Sequence, residues 1–363
     1  MQLAGFYKAF RAEVSEPSVH LIFIEEPEAH LHPQMQEVFI RQLAKIAQQL
    51  VDSSEDKRPW PVQFVVSTHS SHIANAAGFE NIRYFLGVPV PENLEGIRKT
   101  KIKDLRKGLK DIPSKDKEFL HQYMTLTRCD LFFADKAILV EGLSERLMLP
   151  AIVAKLEFSE PEGSKLSSQY VTVMEVGGAY AHLFFDLLRF LELRSLIITD
   201  LDAVNSPGGK ACPVHSGTYS SNACLKAWFS EDDPFTLAGL LAKKDSDKIR
   251  KGNRIAYQCA DVENGPCGRT FEDAFILANP KLFGLVEKDA NALEIEARSK
   301  AEGCKKSEFA LKYSISNTDW ISPKYIVDGV RWLASEGMTS PDPALALAKE
   351  VSACVVEGEA SNV

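Results

Sequence analysis

Four short apolar runs restrict the architecture of this chain more than any other feature. Residues 19–24 (VHLIFI), 62–66 (VQFVV), 136–140 (KAILV) and 195–199 (SLIIT) have the length of buried strands, and helix-length segments separate them. The first two, joined by a helical stretch from Gln34 to about Val51, read as a βαβ unit. A second α/β pattern starts with the strand at 136–140 and a helix at 143–156. It continues with a strand at 171–175, a turn at Gly177–Gly178, a long amphipathic helix through Leu193 and the strand at 195–199. RIAYQ (254–258) reads as one more strand, and 270–279 and 305–314 as helices. Strands alternating with helices imply the α/β class with a parallel, Rossmann-like sheet.

Between the two patterns the chain turns polar, and a helical connector is expected from about Glu92 to Leu126. Arg98, Lys99, Lys101, Lys103, Arg106, Lys107 and Lys110 crowd there. On a helix Lys99, Lys103, Arg106 and Lys110 share one face, which suits a phosphate backbone but more often is only solvated. Residues 203–253, rich in Ser, Gly, Asn and Lys, read as an irregular insert. The expected domains are therefore 1–90, a basic connector at 91–130, a second α/β domain at 131–345 and a tail at 346–363.

Composition bounds the function more loosely. With 363 residues and 45% hydrophobic content the chain can bury about two cores. A formal charge of −8 announces no global polyanion binder, yet it leaves room for a local basic surface and an acid-rich metal site. Seven scattered cysteines do not form a secreted disulfide framework. Cys212-x-x-His215, Cys224, Cys259 and Cys267 lack a repeated C-x-x-C pair, so free thiols are expected rather than zinc. No signal segment or membrane-length apolar run is present, so the expected location is the cytoplasm, with no membrane partner.

Two groups of residues carry chemistry. The first strand ends in Glu25 and Glu26, and the second runs into Thr68–His69. The first acid of such a pair can hold Mg²⁺ through water, the second can polarise an attacking water, and the histidine can sense a terminal phosphate. No G-x-x-x-x-G-K-[ST] segment accompanies them: Gly208–Gly209–Lys210 is followed by Ala211 and lacks the leading glycine. Hydrolysis of ATP by this chain alone is therefore not expected.

The second group is Glu141, directly after KAILV, Glu145 four residues on in the next helix, and Asp200 and Asp202 after SLIIT. A spacing of four puts two acids on one helical face, and sites in parallel sheets form beyond the carboxyl ends of the strands. Either pair alone can be a helix-capping or Asx-turn feature. Both pairs on strands of one domain point instead to a shared cation, and oxygen-only ligands suit Mg²⁺ or Mn²⁺.

These motifs resemble known families. IEEPEAHLHP followed by STHS is similar to the Walker B, D-loop and H-loop of ABC-type ATPases related to SMC and RecF proteins, although Glu25 stands where Asp is usual. FFADKAILVEGLSERLMLPAI and LIITDLD resemble the two acidic motifs of the Toprim fold. The E-G-x-x-E spacing with GRTFEDAF, KKSEFALKY and ISPKYIVDGVRWL resembles the OLD (overcoming lysogenization defect) branch of nucleases, over about residues 19–335. The resemblance implies a DNA endonuclease or nickase that hydrolyses phosphodiesters with two divalent ions. It adds Glu272 as a further metal ligand and Lys306, with Lys305 as competitor, as an electrostatic stabiliser. Ser144, Thr199 and Ser221–Asn222 would add hydroxyl or amide contacts near the metals. It further implies DNA as partner, a homodimer, an ATPase portion N-terminal to this chain that alone would let ATP act, and a role in phage defence. The alternatives are a topoisomerase- or primase-like protein and a non-catalytic Toprim scaffold.

Overall fold

The computed structural model describes residues 3–335 apart from 14–16, 56, 90–97, 128–129, 159–164, 179, 233, 287–288 and 318. The expected tail at 346–363 and the expected margins at 91–97 and 336–345 lie outside the described residues. The chain divides into two compact units, Met1–Phe133 and Ala134–Val363.

The first unit opens with helix α1 (Leu3–Ala12), strand β1 (His20–Glu25), helix α2 (Pro33–Asp52) and strand β2 (Val62–Ser67). The two strands pair in parallel, with Glu25 opposite Ser67, so the expected βαβ unit is present. Ile22, Ile24, Phe64 and Val66 pack against Leu43, Ala47, Val51 and Trp60. The other face of the pair exposes Leu21, Phe23 and Val65.

Helix α3 (Ser71–Ala76) follows, then strands β3 (Arg83–Pro89) and β4 (Arg98–Asp104), and helices α4 (Leu105–Gly108) and α5 (Ser114–Thr127). Here the structure corrects the sequence reading. Residues 98–104 are not the start of a helix but a strand, antiparallel to β3, with Phe85 opposite Ile102 and Leu86 opposite Lys101. RKTKIKD alternates with a period of two, which places Lys99, Lys101 and Lys103 on one side of the ribbon. They therefore share no helical face with Arg106 and Lys110. Only the later half of the expected connector, α5, is a long helix. It packs on α3, where Thr125 Oγ1 donates to Asn75 O at 3.0 Å.

The second unit begins with strand β5 (Lys136–Val140), helix α6 (Leu143–Phe158), strand β6 (Val171–Glu175), helix α7 (Phe185–Leu191) and strand β7 (Arg194–Ile198). Short elements follow: β8 (Ala203–Val204), β9 (Tyr219–Ser220), α8 (Ala223–Trp228), α9 (Leu237–Leu241) and β10 (Ile249–Arg250). Strand β11 (Asn253–Ala256) and helices α10 (Phe271–Ala278), α11 (Ala290–Glu302), α12 (Lys306–Leu311) and α13 (Lys324–Ala334) complete it. The sheet order is β10-β11-β7-β5-β6. Only the β10–β11 pair is antiparallel. β5 and β7 are neighbours, with Val140 opposite Ile198, so their carboxyl ends open side by side.

Two expectations need adjustment in this unit. The helix before β7 is shorter than its apolar pattern suggests: it begins as a 3₁₀ turn at Ala181–Phe184 and ends at Glu192, whose φ of 56° is left-handed. Residues 203–253 are not irregular throughout but fold into a hairpin, two short helices and an edge strand.

The core explains how the helices are held. Every residue of β5 is buried, including Lys136, whose ammonium donates to the carbonyls of Ala334 and Ser335 at 3.3 and 3.4 Å and also reaches that of Leu333. A cation at the carboxyl end of α13 offsets the helix dipole there. On α13, Gly329 rides directly on the sheet; a Cβ at that position would sit 2.9 Å from Leu196 Cδ1. Phe275 on α10 is fully buried and meets the rings of Phe309, Tyr313 and Trp320 at 5.4, 5.2 and 5.3 Å, which locks α10 to α12.

Candidate metal centre

The ends of β5 and β7 and the first turn of α10 define the site. Glu141 leaves β5 and its Oε2 accepts three hydrogen bonds from elsewhere in the unit: Thr199 Oγ1 at 2.6 Å, Asp200 N at 2.8 Å and Asn222 Nδ2 at 3.3 Å. Asn222 also donates to Thr199 Oγ1 at 2.9 Å while its Oδ1 caps α8 by accepting Leu225 N. The short helix of the insert thus serves to hold Glu141. The carboxylate lies against Gly178, where no side chain fits: a Cβ there would be 2.1 Å from Glu141 Oε1.

Asp200 is buried beyond β7. Its Oδ1 accepts Gln258 Nε2 at 2.7 Å and Phe271 N, in the first turn of α10, at 3.0 Å. Gln258 also receives Leu201 N on its Oε1 at 2.6 Å and touches Tyr325 Oη at 3.2 Å. Asp202 has a left-handed φ of 49° and pairs with Arg269 at 2.6 Å. Glu272 accepts Ser144 Oγ on Oε1 at 2.7 Å, and its Oε2 lies 3.4 Å from Lys306 Nζ. Lys305, by contrast, is tied to Glu308 at 2.8 Å on the exposed side of α12.

Electrostatics link the acids. Burial, then the charges of Glu145, Glu141, Asp202 and Glu272, raise the Asp200 carboxyl well above its ordinary value. Burial lifts Glu145 to about 7; a backbone hydrogen bond and Lys306 oppose this, while Glu272 and Glu141 add to it. Burial pulls the Lys306 ammonium down, but Glu272, Asp200 and Glu145 outweigh it and the net shift is upward. Cys224, fully buried beside Thr199, is a neutral thiol because burial raises its pKa strongly.

A divalent cation fits this arrangement in charge and donor chemistry: carboxylate oxygens from five residues share one field, and burial together with the neighbouring carboxylates forces two of them upward. Among the described residues, no three His, Cys, Asp or Glu side chains converge into a finished cage. Thr199 and Asn222 hold Glu141, Gln258 holds Asp200, Arg269 holds Asp202, and Ser144 and Lys306 hold Glu272. Cys212, Cys224, Cys259, Cys267 and Cys304 are free thiols. His215, from the cysteine-containing stretch, pairs its Nδ1 with Glu294 at 2.8 Å.

In the first unit, Glu26 and His69 come together at the ends of β1 and β2, with Oε1 and Nε2 3.4 Å apart and both side chains exposed. Glu25 ends β1 beside them. Glu28, which the sequence reading did not single out, cross-links the two strand ends: it accepts Thr68 Oγ1 at 2.9 Å and His69 N at 2.6 Å. Gln258, Arg269 and Tyr325 were likewise missed. Gln258 follows a recognisable strand, and reading amides as well as acids at strand ends finds it.

A parallel sheet with acids gathered at the carboxyl ends of adjacent strands defines the second unit as a Toprim domain, and the comparisons agree. The family description "Overcoming lysogenization defect protein-like, TOPRIM domain" matches residues 132–202, and "AAA ATPase domain" matches residues 3–74. The chain thus matches an OLD-like Toprim domain and an AAA-type ATPase segment. Endonuclease GajA of Bacillus cereus (strain HuB5-5) is 29% identical over 355 residues, covering 88% of this chain and 49% of the relative. The OLD nuclease of Thermus scotoductus is 27% identical over 210 residues, 55% of this chain and 34% of the relative. The Old nuclease of Escherichia phage P2 is 26% identical over 213 residues, 57% of this chain and 32% of the relative. The chain spans about half the length, or less, of these relatives. Glu272 and Lys306 lie beyond the matched Toprim stretch. No helix among the described residues is long and apolar enough to cross a membrane.

Proposed function

We propose that the Toprim domain is a DNA nuclease that hydrolyses phosphodiester bonds by a two-metal mechanism, and that it acts as an endonuclease or nickase. The carrying observation is that Glu141 and Asp200 follow the neighbouring strands β5 and β7, with Asp200 N donating to Glu141 Oε2 at 2.8 Å, while Asp202 follows two residues on and Glu145 and Glu272 stand in the first turns of α6 and α10. The nuclease names of the relatives support the same reaction. Glu141, Glu145, Asp200, Asp202 and Glu272 would hold two Mg²⁺ or Mn²⁺ ions. When bound, such ions activate water for in-line attack and neutralise the departing oxygen. Thr199 and Asn222 fix the Glu141 carboxylate, and Gln258 and the amide of Phe271 fix Asp200, so little reorganisation remains when substrate binds. Lys306, exposed and beside Glu272, would neutralise charge on the scissile phosphate.

The ATPase portion would span 1–90, the connector 91–130 and the nuclease domain 131–345. Glu25, Glu26 and His69 would meet ATP only in a longer protein that also supplies the phosphate-cradling segment, and a homodimer is the proposed assembly. DNA is the proposed partner.

The test is cleavage of supercoiled plasmid with Mg²⁺ or Mn²⁺, with EDTA and with the variant Asp200→Asn. Loss of nicked and linear products in EDTA and in a folded Asp200→Asn protein is expected. Wild-type cleavage by that variant would overturn the reading, and relaxation without nicked product would turn it towards a topoisomerase.

A further inference from the structure

The stretch ISPKYIVDGVRWL contributes no acid to the metal centre, yet its Tyr325, in the first turn of α13, is tied to it. Tyr325 is buried in the core that also holds Ile198, Ala256 and Phe271, and its Oη accepts Gln258 Nε2 at 3.2 Å. Gln258 is fully buried; its Nε2 also donates to Asp200 Oδ1 at 2.7 Å, and its Oε1 accepts Leu201 N at 2.6 Å. Both protons of the amide nitrogen are thereby used. Half a turn of the amide would set Oε1 against the Asp200 carboxylate and leave Leu201 N facing a donor. The amide is therefore fixed in sense as well as in place, and Tyr325 supplies one of the three bonds that fix it.

The phenol is itself held firmly. Gly329 lets α13 settle on Leu196 and Ala256, and Lys324 N donates to Asp261 Oδ1 at 3.1 Å, three residues beyond Gln258. Burial, then the charges of Asp200 and Glu145, push the Tyr325 hydroxyl well above its ordinary range, so its oxygen stays a neutral acceptor. Asp202 and Glu272 lean on the cations Arg269 and Lys306, whereas Gln258 Nε2 and Phe271 N, the donors to Asp200 Oδ1, are both neutral. Neutral donors orient a carboxylate and leave its charge for a cation.

We propose that Tyr325 is a positioning residue of the metal centre: acting through Gln258, it aims the Asp200 carboxylate and so sets the affinity for a divalent cation. This rests on the reading of Asp200 as a metal ligand. Groups that orient a ligand from behind change metal affinity by about ten- to a hundredfold, and a hydroxyl acting at one remove falls at the lower end of that range.

The experiment is titration of the full chain with Mn²⁺, the free ion being followed by electron paramagnetic resonance, alongside melting curves in EDTA. Tyr325→Phe removes only the hydroxyl and should weaken Mn²⁺ binding about tenfold. Gln258→Ala should weaken it at least as much, and the double variant should bind no more weakly than Gln258→Ala, because the hydroxyl then has nothing to orient. Tyr257→Phe is the control: it deletes a buried hydroxyl one residue from Gln258, which donates to Leu240 O at 2.7 Å, and should cost stability while leaving Mn²⁺ affinity unchanged. Wild-type affinity in Tyr325→Phe overturns the proposal, as do losses that add in the double variant or an equal loss in Tyr257→Phe. Asp200→Asn separates the two levels of the argument. Wild-type binding by that variant, or no binding by the wild type, overturns the metal reading together with the proposal. Weakened binding there beside intact binding in Tyr325→Phe overturns the role of Tyr325 alone.

Discussion

Replacing Gly178 by alanine separates the positioning of Glu141 from the stability of the fold. The added Cβ would lie 2.1 Å from Glu141 Oε1, 2.3 Å from Cδ and 2.6 Å from Oε2. Ordinary contact begins at 3.4 Å, so the nearest oxygen must retreat by about 1.3 Å. The clashing atoms are the far end of a flexible side chain, so the backbone can stay where it is. The carboxylate then leaves Thr199 Oγ1, Asp200 N and Asn222 Nδ2, now at 2.6, 2.8 and 3.3 Å, because a shift of that size exceeds the tolerance of a hydrogen bond. Misplacing a reacting group by ~1 Å costs about a hundredfold in rate, equivalent to ~2.7 kcal/mol in the barrier.

The matched control is the neighbouring glycine. At Gly177 the nearest atom to a new Cβ is Tyr180 Cδ2 at 3.9 Å, an ordinary contact. Both substitutions stiffen the unfolded chain equally, so differences between them report the folded site alone. Initial rates of plasmid cleavage with saturating Mn²⁺, and melting curves of both variants, are the assay. Gly178→Ala should fall about a hundredfold in rate while melting close to the wild type, and Gly177→Ala should match the wild type in both. A Gly178→Ala rate within threefold of Gly177→Ala, or a loss explained by collapsed melting, would refute the reasoning.

Two other outcomes follow from the same structure. Phe275→Ala removes a fully buried ring that meets Phe309, Tyr313 and Trp320, and should cost the second unit about 3–5 kcal/mol in urea unfolding; a cost below ~1 kcal/mol would mean the aromatic cluster does not hold α10 to α12. In EDTA, stability contributed at Glu145 is complete below its ordinary value of 4.5 and is lost as pH rises through about 7, since the folded state holds the proton more tightly. Glu145→Gln should therefore melt above the wild type at pH 8 in EDTA, by on the order of 3 kcal/mol, and Mg²⁺ should close the gap; identical melting in EDTA refutes that account.

How much of this was legible in the sequence depends on what each residue advertises. Glu141 and Asp200 follow apolar runs whose only reasonable state is a central strand, and neighbouring parallel strands bring such ends together without further information. Glu272 and Lys306 carry no such signal, because a first-turn glutamate and an exposed lysine are commonplace on helices; only the family resemblance singled them out. Asn222 was legible only as a polar residue near the site, since nothing in a Ser- and Gly-rich stretch says that its helix folds back on Glu141. Gln258 was missed because only charged side chains were sought at strand ends. The 98–104 segment misleads for the opposite reason: its charges suggest a helical face, while the alternation in RKTKIKD is the better indicator of conformation.

The charge balance of the site bears on the proposed two-ion mechanism. Among the described residues, Lys306 and Arg269 pair directly with these carboxylates, at Glu272 and Asp202 respectively. Two positive charges against five negative ones leave a deficit of three, and burial first, then the neighbouring carboxylates, shift Asp200 and Glu145 towards their protonated forms. One divalent ion with those acids ionised still leaves the site negative, and a phosphodiester would be repelled. Two divalent ions turn the balance to a single positive charge, which one phosphodiester neutralises. With two ions held as proposed, the same cluster that destabilises the metal-free fold at neutral pH would attract a phosphodiester, and Lys306 and Arg269 are part of that balance.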